Sequence, residues 1–351
     1  QAINFVSEFT LGAQSLDTFN YFVAPFVKSI NSQTDKELES FFDDLETSNK
    51  KIFICLEFGK PKFVEGLLTT HFTEALPSVG TETYGKYHEP AKKIALSIIN
   101  MFNKNKYKNL KLLVKLWSSE IPDNLPSGIF VANMVENWQH PTASFANTTR
   151  FGSDWKKYLG TNRIGEVQNI IINLPKIALS SKKIEEFLNK TKATMEICCH
   201  IQLHIAEQTM ADFLRSHNTT LESAKHERWD YLRMENCQYS ISMAGLPETL
   251  EILKTKYKSV NIGELASQLS KKFAELKKKY NKIRIESKLD RSEQICRRFS
   301  KSAKRIIKYD APLPKQKILA IQKYFPGGHV ELLNSAELNN VKFKFGLAKV
   351  I

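Results

Sequence analysis

The sequence predicts an α/β protein with a largely parallel sheet or barrel and long helices around it. Three observations carry this reading. Short apolar runs alternate with long segments of helical periodicity. One run, residues 167–174, is apolar on both faces, the pattern of a strand buried on each side. No repeat or low-complexity tract breaks the alternation, and no linker divides the 351 residues, so one domain over 1–351 is expected.

The elements follow in order. Residues 5–29 read as a helix broken near Pro25, and residues 52–58 as a strand. Residues 90–102 form a helix with Pro90 in its first turn, where a missing N–H costs nothing. Residues 110–117 read as a strand, and residues 128–135 as a strand or a short helix. A short strand over 143–147 leads into a polar, turn-rich stretch. The strand at 167–174 ends at Pro175. One long helix over 182–215 carries Ile184, Phe187, Leu188, Met195, Cys198, Cys199 and Leu203 on its apolar side. A strand at 239–245 is followed by a helix opened by Pro247, a basic amphipathic helix over 262–281, a strand at 282–289, a helix at 291–307 and a final strand at 341–351.

Composition excludes several classes. Apolar content of 42% and charged content of 25% are those of a globular protein. No apolar run reaches the length of a membrane span, so no membrane association is expected. The opening residues lack a basic stretch followed by an apolar one, so no signal peptide is expected; a first residue that is Gln points to processing or truncation. The cysteines, Cys55, Cys198, Cys199, Cys237 and Cys296, contain no C-x-x-C pair and predict reduced, buried thiols in a cytoplasmic setting. His200 and His204 have the i,i+4 spacing of metal ligands, but no third ligand accompanies them, so structural roles and no metal are expected.

The net charge of +14 is concentrated. Residues 254–317 hold 20 Lys and Arg against 6 Asp and Glu, out of 51 and 37 in the chain, so elsewhere the signs balance at 31 each. One reading is a solvated helical surface. The other is a phosphate-binding surface formed by Lys271, Lys272, Lys277, Lys278, Arg297, Arg298, Lys301, Lys304 and Arg305, because clustered cations release counterions from a polyanion. Few aromatics lie among them, which favours the backbone of structured nucleic acid over stacking on single strands.

Several segments carry a resemblance. They are Gln14-Ser-Leu-Asp-Thr-Phe-Asn-Tyr-Phe-Val-Ala-Pro-Phe26, Ile164-Gly-Glu-Val-Gln-Asn-Ile-Ile-Ile-Asn-Leu-Pro-Lys-Ile-Ala-Leu179, Ser240-Ile-Ser-Met-Ala-Gly-Leu-Pro-Glu248, Leu289-Asp-Arg-Ser-Glu-Gln-Ile-Cys-Arg-Arg-Phe299 and Tyr324-Phe-Pro-Gly-Gly-His329. In this order they resemble the anaerobic (class III, glycyl-radical) ribonucleotide reductase family, the first as a helix with an Asp-Thr…Ala-Pro-Phe core. The resemblance implies a glycyl-radical-enzyme-like α/β barrel, a dimer, and a thiyl radical on a loop that here falls at 148–159. That loop contains no cysteine; Asp154 and Trp155 stand near its expected place. The family's Arg-x-Gly-Gly-Gln-Thr-Pro-Phe-Thr-Asn segment is replaced by Lys60-Pro-Lys-Phe-Val-Glu-Gly-Leu-Leu-Thr69, and the glycyl-radical site and zinc cysteines are not found. Asn173 and Glu293 stand at family polar positions, either as a remnant substrate pocket or as fold-supporting hydrogen bonds. The expectation is a catalytically inactive reductase-like scaffold, without cofactor, that binds RNA or a ribonucleoprotein such as the ribosome. The alternatives are a truncated active reductase and a nucleotide-sensing regulator; no phosphate-cradling Gly-rich motif supports the latter.

Overall fold

The computed structural model describes residues 14–27, 32–47, 51–66, 68–73, 76–104, 107–118, 121–134, 140–141, 148–149, 166–220, 237–257, 260–290, 295, 298–299, 320–321, 323–325, 331–333 and 347–351. The expected strand at 143–147 and most of the helix at 291–307 lie outside these residues.

The first sheet begins with β1 (Gln14–Leu16), β2 (Ile52–Phe58), β5 (Leu110–Leu116) and β6 (Phe130–Asn133), all parallel neighbours in that order. β13 (Leu347–Val350) adds antiparallel to β6, and β12 (Glu331–Leu333) closes the edge parallel to β13. Between β2 and β5 the chain makes an antiparallel hairpin, β3 (Leu68–Thr73) and β4 (Leu76–Thr83), and then a helix. A small pair, β7 (His140–Pro141) and β8 (Thr148–Thr149), stands apart. Helices α1 (Phe19–Val23), α2 (Ser32–Thr47) and α3 (His88–Phe102) cover one face.

Strand alternation explains that cover. Ile52, Ile54, Leu56 and Phe58 of β2 and Leu110, Leu112, Val114 and Leu116 of β5 pack with Tyr21, Leu38, Phe42, Ile94 and Ile98 of the helices. The opposite side of the same strands forms a second, smaller cluster of Phe53, Cys55, Leu113, Phe130, Ala132 and Leu347. Both sides are apolar, which is why these strands read as continuous apolar runs.

The expected helix from residue 5 is corrected where the structure describes it. Gln14–Leu16 is a strand, and the helix begins only at Phe19, after Thr18 takes a left-handed conformation (φ 53°). Pairing with β2 overrides the helical spacing of the apolar residues. The residues before Gln14 lie outside the described ones.

The second sheet has the order β11–β10–β9, all parallel, from β9 (Glu166–Asn173), β10 (Gln238–Ala244) and β11 (Arg284–Asp290). Two helices, α4 (Leu174–Leu179) and α5 (Ile184–Thr220), connect β9 to β10. Two more, α6 (Leu246–Lys256) and α7 (Ile262–Lys279), connect β10 to β11. Ile241 and Met243 face Phe187, Met195 and Cys199 of α5 and Leu265, Leu269 and Phe273 of α7 in one core.

The expectation that residues 167–174 form a central strand buried on both faces is corrected. Among the described residues β9 is an edge strand, with only Val167 and Ile172 buried, while β10 is buried along its whole length. A register shift opposite Gln238 and Tyr239 leaves Val167 without a partner, and this bulge turns it into a cluster with Ala206, Cys237 and Tyr239. Cys55, Cys198, Cys199 and Cys237 are free, buried thiols as expected; Cys296 lies outside the described residues.

Phe42 is fully buried against Phe19, Phe41, Phe102 and Tyr107, whereas Phe41 is 40% exposed. Phe42→Ala should therefore lower stability in urea unfolding by about 3–5 kcal/mol, and Phe41→Ala by about 1 kcal/mol.

Candidate functional site

The carboxyl end of β2 and β5 carries two charged residues inside otherwise apolar strands. Register pairs Glu57 with Lys115, and alternation sends both to the face of the sheet away from the helices. Neither side chain is exposed to water. Lys115 Nζ lies 2.5 Å from Asp17 Oδ1 and 3.2 Å from Glu57 Oε1. Thr18 Oγ1 donates to Glu57 Oε1 at 3.0 Å, and Trp117 Nε1 donates to Glu57 Oε2. Asn20 bridges Glu57 by its backbone: Nδ2 donates to Glu57 O, and Oδ1 accepts from Glu57 N, both at 2.9 Å. The turn that brings Asp17 and Thr18 here is the left-handed one between β1 and α1.

The electrostatics follow from two carboxylates sharing one ammonium. Burial alone would lower the pKa of Lys115, but Asp17 and Glu57 outweigh it and hold the ammonium above its ordinary range. Burial raises Glu57, Lys115 pulls it down and Asp17 pushes it up; the net direction is up, because burial and the second carboxylate outweigh the ammonium. Burial, then Asp17, push the Cys55 thiol well above its usual range, so it is a protonated thiol rather than a nucleophilic thiolate. Both Glu57 oxygens are engaged. The arrangement stores charge and fixes geometry. The sequence singled out Asp17 and Thr18 only as part of a family segment and Cys55 only as a buried thiol, and did not bring Glu57 or Lys115 to them. The signal was present: a Glu in Ile-Phe-Ile-Cys-Leu-Glu-Phe and a Lys in Leu-Lys-Leu-Leu-Val-Lys-Leu are costly in buried strands unless paired.

Among the described residues, the face of the second sheet turned away from α5 and α7 is also polar. Lys288 of β11 reaches across β10 to Glu166 of β9 at 2.7 and 2.9 Å, and Ser242 Oγ donates to Asn169 Oδ1 at 2.7 Å. Asn173 ends β9 as expected. Its Oδ1 accepts from Lys176 N at 3.1 Å and so caps α4. The other end of α4 is held by Lys256, whose ammonium donates to the carbonyls of Ala178, Leu179 and Ser181 at 2.9–3.0 Å. Asn173 thus caps α4; Glu293 lies outside the described residues. The 148–159 loop, where the family's radical cysteine is expected, is described only at Thr148–Thr149.

The predicted basic surface divides. Lys271 and Lys278 are exposed on the outer side of α7, and Lys272 is half-buried. Lys277 is instead paired with Glu286 of β11 at 2.5 Å. Lys279, outside the predicted set, pairs with Glu196, and Lys192 pairs with Glu275, so part of the charge ties α7 to α5. Arg297, Lys301, Lys304 and Arg305 lie outside the described residues; Arg298 is described and exposed. His200 Nε2 is 2.6 Å from the Tyr280 hydroxyl, a helix-to-helix contact. Among the described residues no group of three His, Cys, Asp or Glu could hold a metal, and no helix is long and apolar enough to cross a membrane.

Lys115→Met should cost about 3–5 kcal/mol at pH 7, since it leaves the fully buried Glu57 and the partly buried Asp17 without their shared ammonium. The cost should shrink as pH falls through the raised range of Glu57, where that group takes a proton and one charge disappears. In the wild type the Lys115 contribution is complete below its ordinary pKa and is lost only as pH rises through its raised one. Urea unfolding of both proteins between pH 4 and 9 measures this; a cost independent of acid pH would contradict the assignment of charge.

Solved structures with the same fold include the anaerobic ribonucleotide reductase from Thermotoga maritima with citrate in the active site, at 11% identity and a TM-score of 0.64, over 100% of this chain and 73% of that one. The same reductase with dATP bound in the specificity site aligns at 12% identity and a TM-score of 0.68, covering 100% and 68%. A further anaerobic ribonucleotide reductase aligns at 12% and 0.69, covering 100% and 64%, so this chain spans about two thirds of such proteins. No curated protein matches. The sequence pattern of the anaerobic ribonucleoside-triphosphate reductases matches residues 1–310, and with the strand order and helix cover above, the chain belongs to that family.

Proposed function

We propose that this family member does not reduce ribonucleotides and instead serves as a scaffold that binds structured RNA or a ribonucleoprotein, the ribosome included. The observation that carries the binding reading is the outer side of α7. Lys271 and Lys278 are exposed there, two turns and about 10 Å apart along the axis. Exposed Lys282 follows the helix. Such a row meets phosphates without reading bases. The loss of reductase chemistry rests on the absence of cysteine from residues 148–159. The four described cysteines are buried, and Cys55, Cys198 and Cys199 are all pushed up from the ordinary thiol range by burial first.

Two measurements test the proposal. Supplied in trans with an activase, a reductant and a glycyl-radical domain, the protein should form no deoxyribonucleotide; product formation would establish the rival reading of a truncated active reductase. Binding to duplex RNA should weaken with salt, with a log–log slope of roughly −0.7 to −0.9 per phosphate neutralised. Replacing Lys271, Lys278 and Lys282 together by Gln should flatten that slope by about two units and leave the melting temperature within about 2 °C. Unchanged affinity with a lower melting temperature would show that the row is structural.

A further inference from the structure

One indole joins the buried charges at the carboxyl end of β2 and β5 to the segment that follows β2. The Glu57 side chain has no access to water, and three donors engage its carboxylate. Oε1 accepts from Thr18 Oγ1 at 3.0 Å and from Lys115 Nζ at 3.2 Å, and Oε2 accepts from Trp117 Nε1. The Trp117 ring meets Phe63 edge-on, with centroids 5.7 Å apart. Phe63 belongs to a short turn, Lys62–Glu65, and packs against the apolar clusters on both faces of the sheet, so it lies across the strand ends. The segment begins at Gly59, which is left-handed (φ 92°). Its backbone runs so near the end of β5 that a Cβ there would meet Ser118 Oγ at 3.2 Å and Trp117 Cβ at 3.3 Å. Residues 59–66 thus form a strap at the carboxyl ends of β2 and β5. Trp117 holds the strap, and Glu57 holds Trp117.

A carboxylate accepts at both oxygens, whereas a carboxylic acid must donate from one of them. A proton on Oε1 would face the Lys115 ammonium, so Oε2 is the oxygen that takes it. There it meets the Trp117 indole, which is a donor only. No acceptor is hydrogen-bonded to this carboxylate, so the new O–H competes with the indole N–H for the same space. Glu57 takes the proton before Asp17 does. Glu57 is fully buried, while Asp17 is 15% exposed and lies nearer the shared ammonium, at 2.5 against 3.2 Å. The pKa of Glu57 has the matching direction: burial raises it first, Asp17 adds to this, and Lys115 and Trp117 oppose. The other titratable groups facing it are the Cys55 thiol of β2 and the Tyr21 hydroxyl of α1, both pushed up by burial first and therefore neutral. β6 places only Ala132 beside Lys115.

We propose that Glu57 and Trp117 form a proton-operated latch, in which uptake of one proton by Glu57 releases the indole and loosens the strap at 59–66 from the carboxyl end of the first sheet. Asp17 then remains with the Lys115 ammonium. Val64 of the strap is fully buried on the helix side, so the strap loosens without detaching. The folded state raises Glu57, so the folded chain binds this proton more tightly than the unfolded one. As pH falls through that window the proton adds stability, and the opening is local. The carboxyl ends of parallel strands are where α/β sheets admit ligands, so the latch couples access at that end to acidity. It does not rest on the RNA-binding reading.

The test uses the full chain with its tryptophan indoles labelled for nitrogen NMR, the Trp117 signal being assigned by its through-space contact with the Phe63 ring. Between pH 4 and 8 this N–H should shift in one step whose midpoint lies above the ordinary carboxylate range. Hydrogen exchange of residues 59–66, corrected for the intrinsic effect of pH, should become about tenfold faster across the same step, as the loss of one hydrogen bond implies. Glu57→Gln cannot take up the proton and should abolish the step in both readouts. Trp117→Phe should give the faster exchange at every pH. Glu65→Gln removes the exposed carboxylate that pairs with Lys60 in the strap and should leave the step in place. The latch is overturned if the indole signal is constant over this range, if it shifts while exchange at 59–66 does not, or if the step survives in Glu57→Gln. The first two outcomes are read in the wild type, so a variant that fails to fold does not decide the matter.

Discussion

A single lysine ammonium, without access to water and held between two carboxylates, ties the first half of this structure together. Lys115 joins β5 to Asp17, which follows β1, and to Glu57 of β2. The same Glu57 accepts hydrogen bonds from Thr18, Asn20 and Trp117. Through these bonds the left-handed turn at Thr18 is held, and with it the direction in which α1 leaves the sheet. A buried ion pair of this kind is poor at raising net stability, because desolvation consumes most of the attraction. Its effect is specificity: another register of β2 against β5 would leave at least one of these charges unpaired in an apolar layer.

The two sheets solve the same problem differently. In the first, the helix-free face is apolar apart from its charged ends, and Phe53, Leu113, Phe130 and Leu347 fill it. In the second, β10 presents Gln238, Ser240 and Ser242 on that face, all buried, flanked by the Glu166–Lys288 pair. Helix-side packing is conventional in both. In both sheets the strand-to-strand ion pairs, Glu57–Lys115 and Glu166–Lys288, lie on the face turned away from the described helices. In this chain the polar groups described are largely satisfied by one another, as Asn173 shows by capping α4.

The basic excess has two physical uses. Lys192, Lys277 and Lys279 make ion pairs that hold α7 against α5 and β11. These are exposed pairs, each worth little alone. Lys271 and Lys278 face water. Net charge along a segment therefore overstates the charge that a partner would meet, because acids distant in sequence, such as Glu196, neutralise part of it.

Much of the fold was legible in the sequence. Strands at 52–58, 110–116 and 238–244, and helices at 88–102, 184–220, 246–256 and 262–279, follow from local periodicity and from Pro90, Pro175 and Pro247, each placed in a first helical turn. The short family segments were legible for the same reason, since they are contiguous. Other features depend on partners far along the chain. Residues 14–16 become a strand because β2 is there to pair with, and among the described strands β9 falls at an edge because β10 takes the centre. The bulge at Val167 follows from pairing with β10, not from any local breaker. The candidate sites were the least legible part. Asp17, Glu57 and Lys115 are separated by 40 and 58 positions. Local propensity determines which segments are strands and helices; only strand register and the choice of neighbours decide which charges meet, because charge pairing acts through space and is invisible to the spacing of residues along the chain.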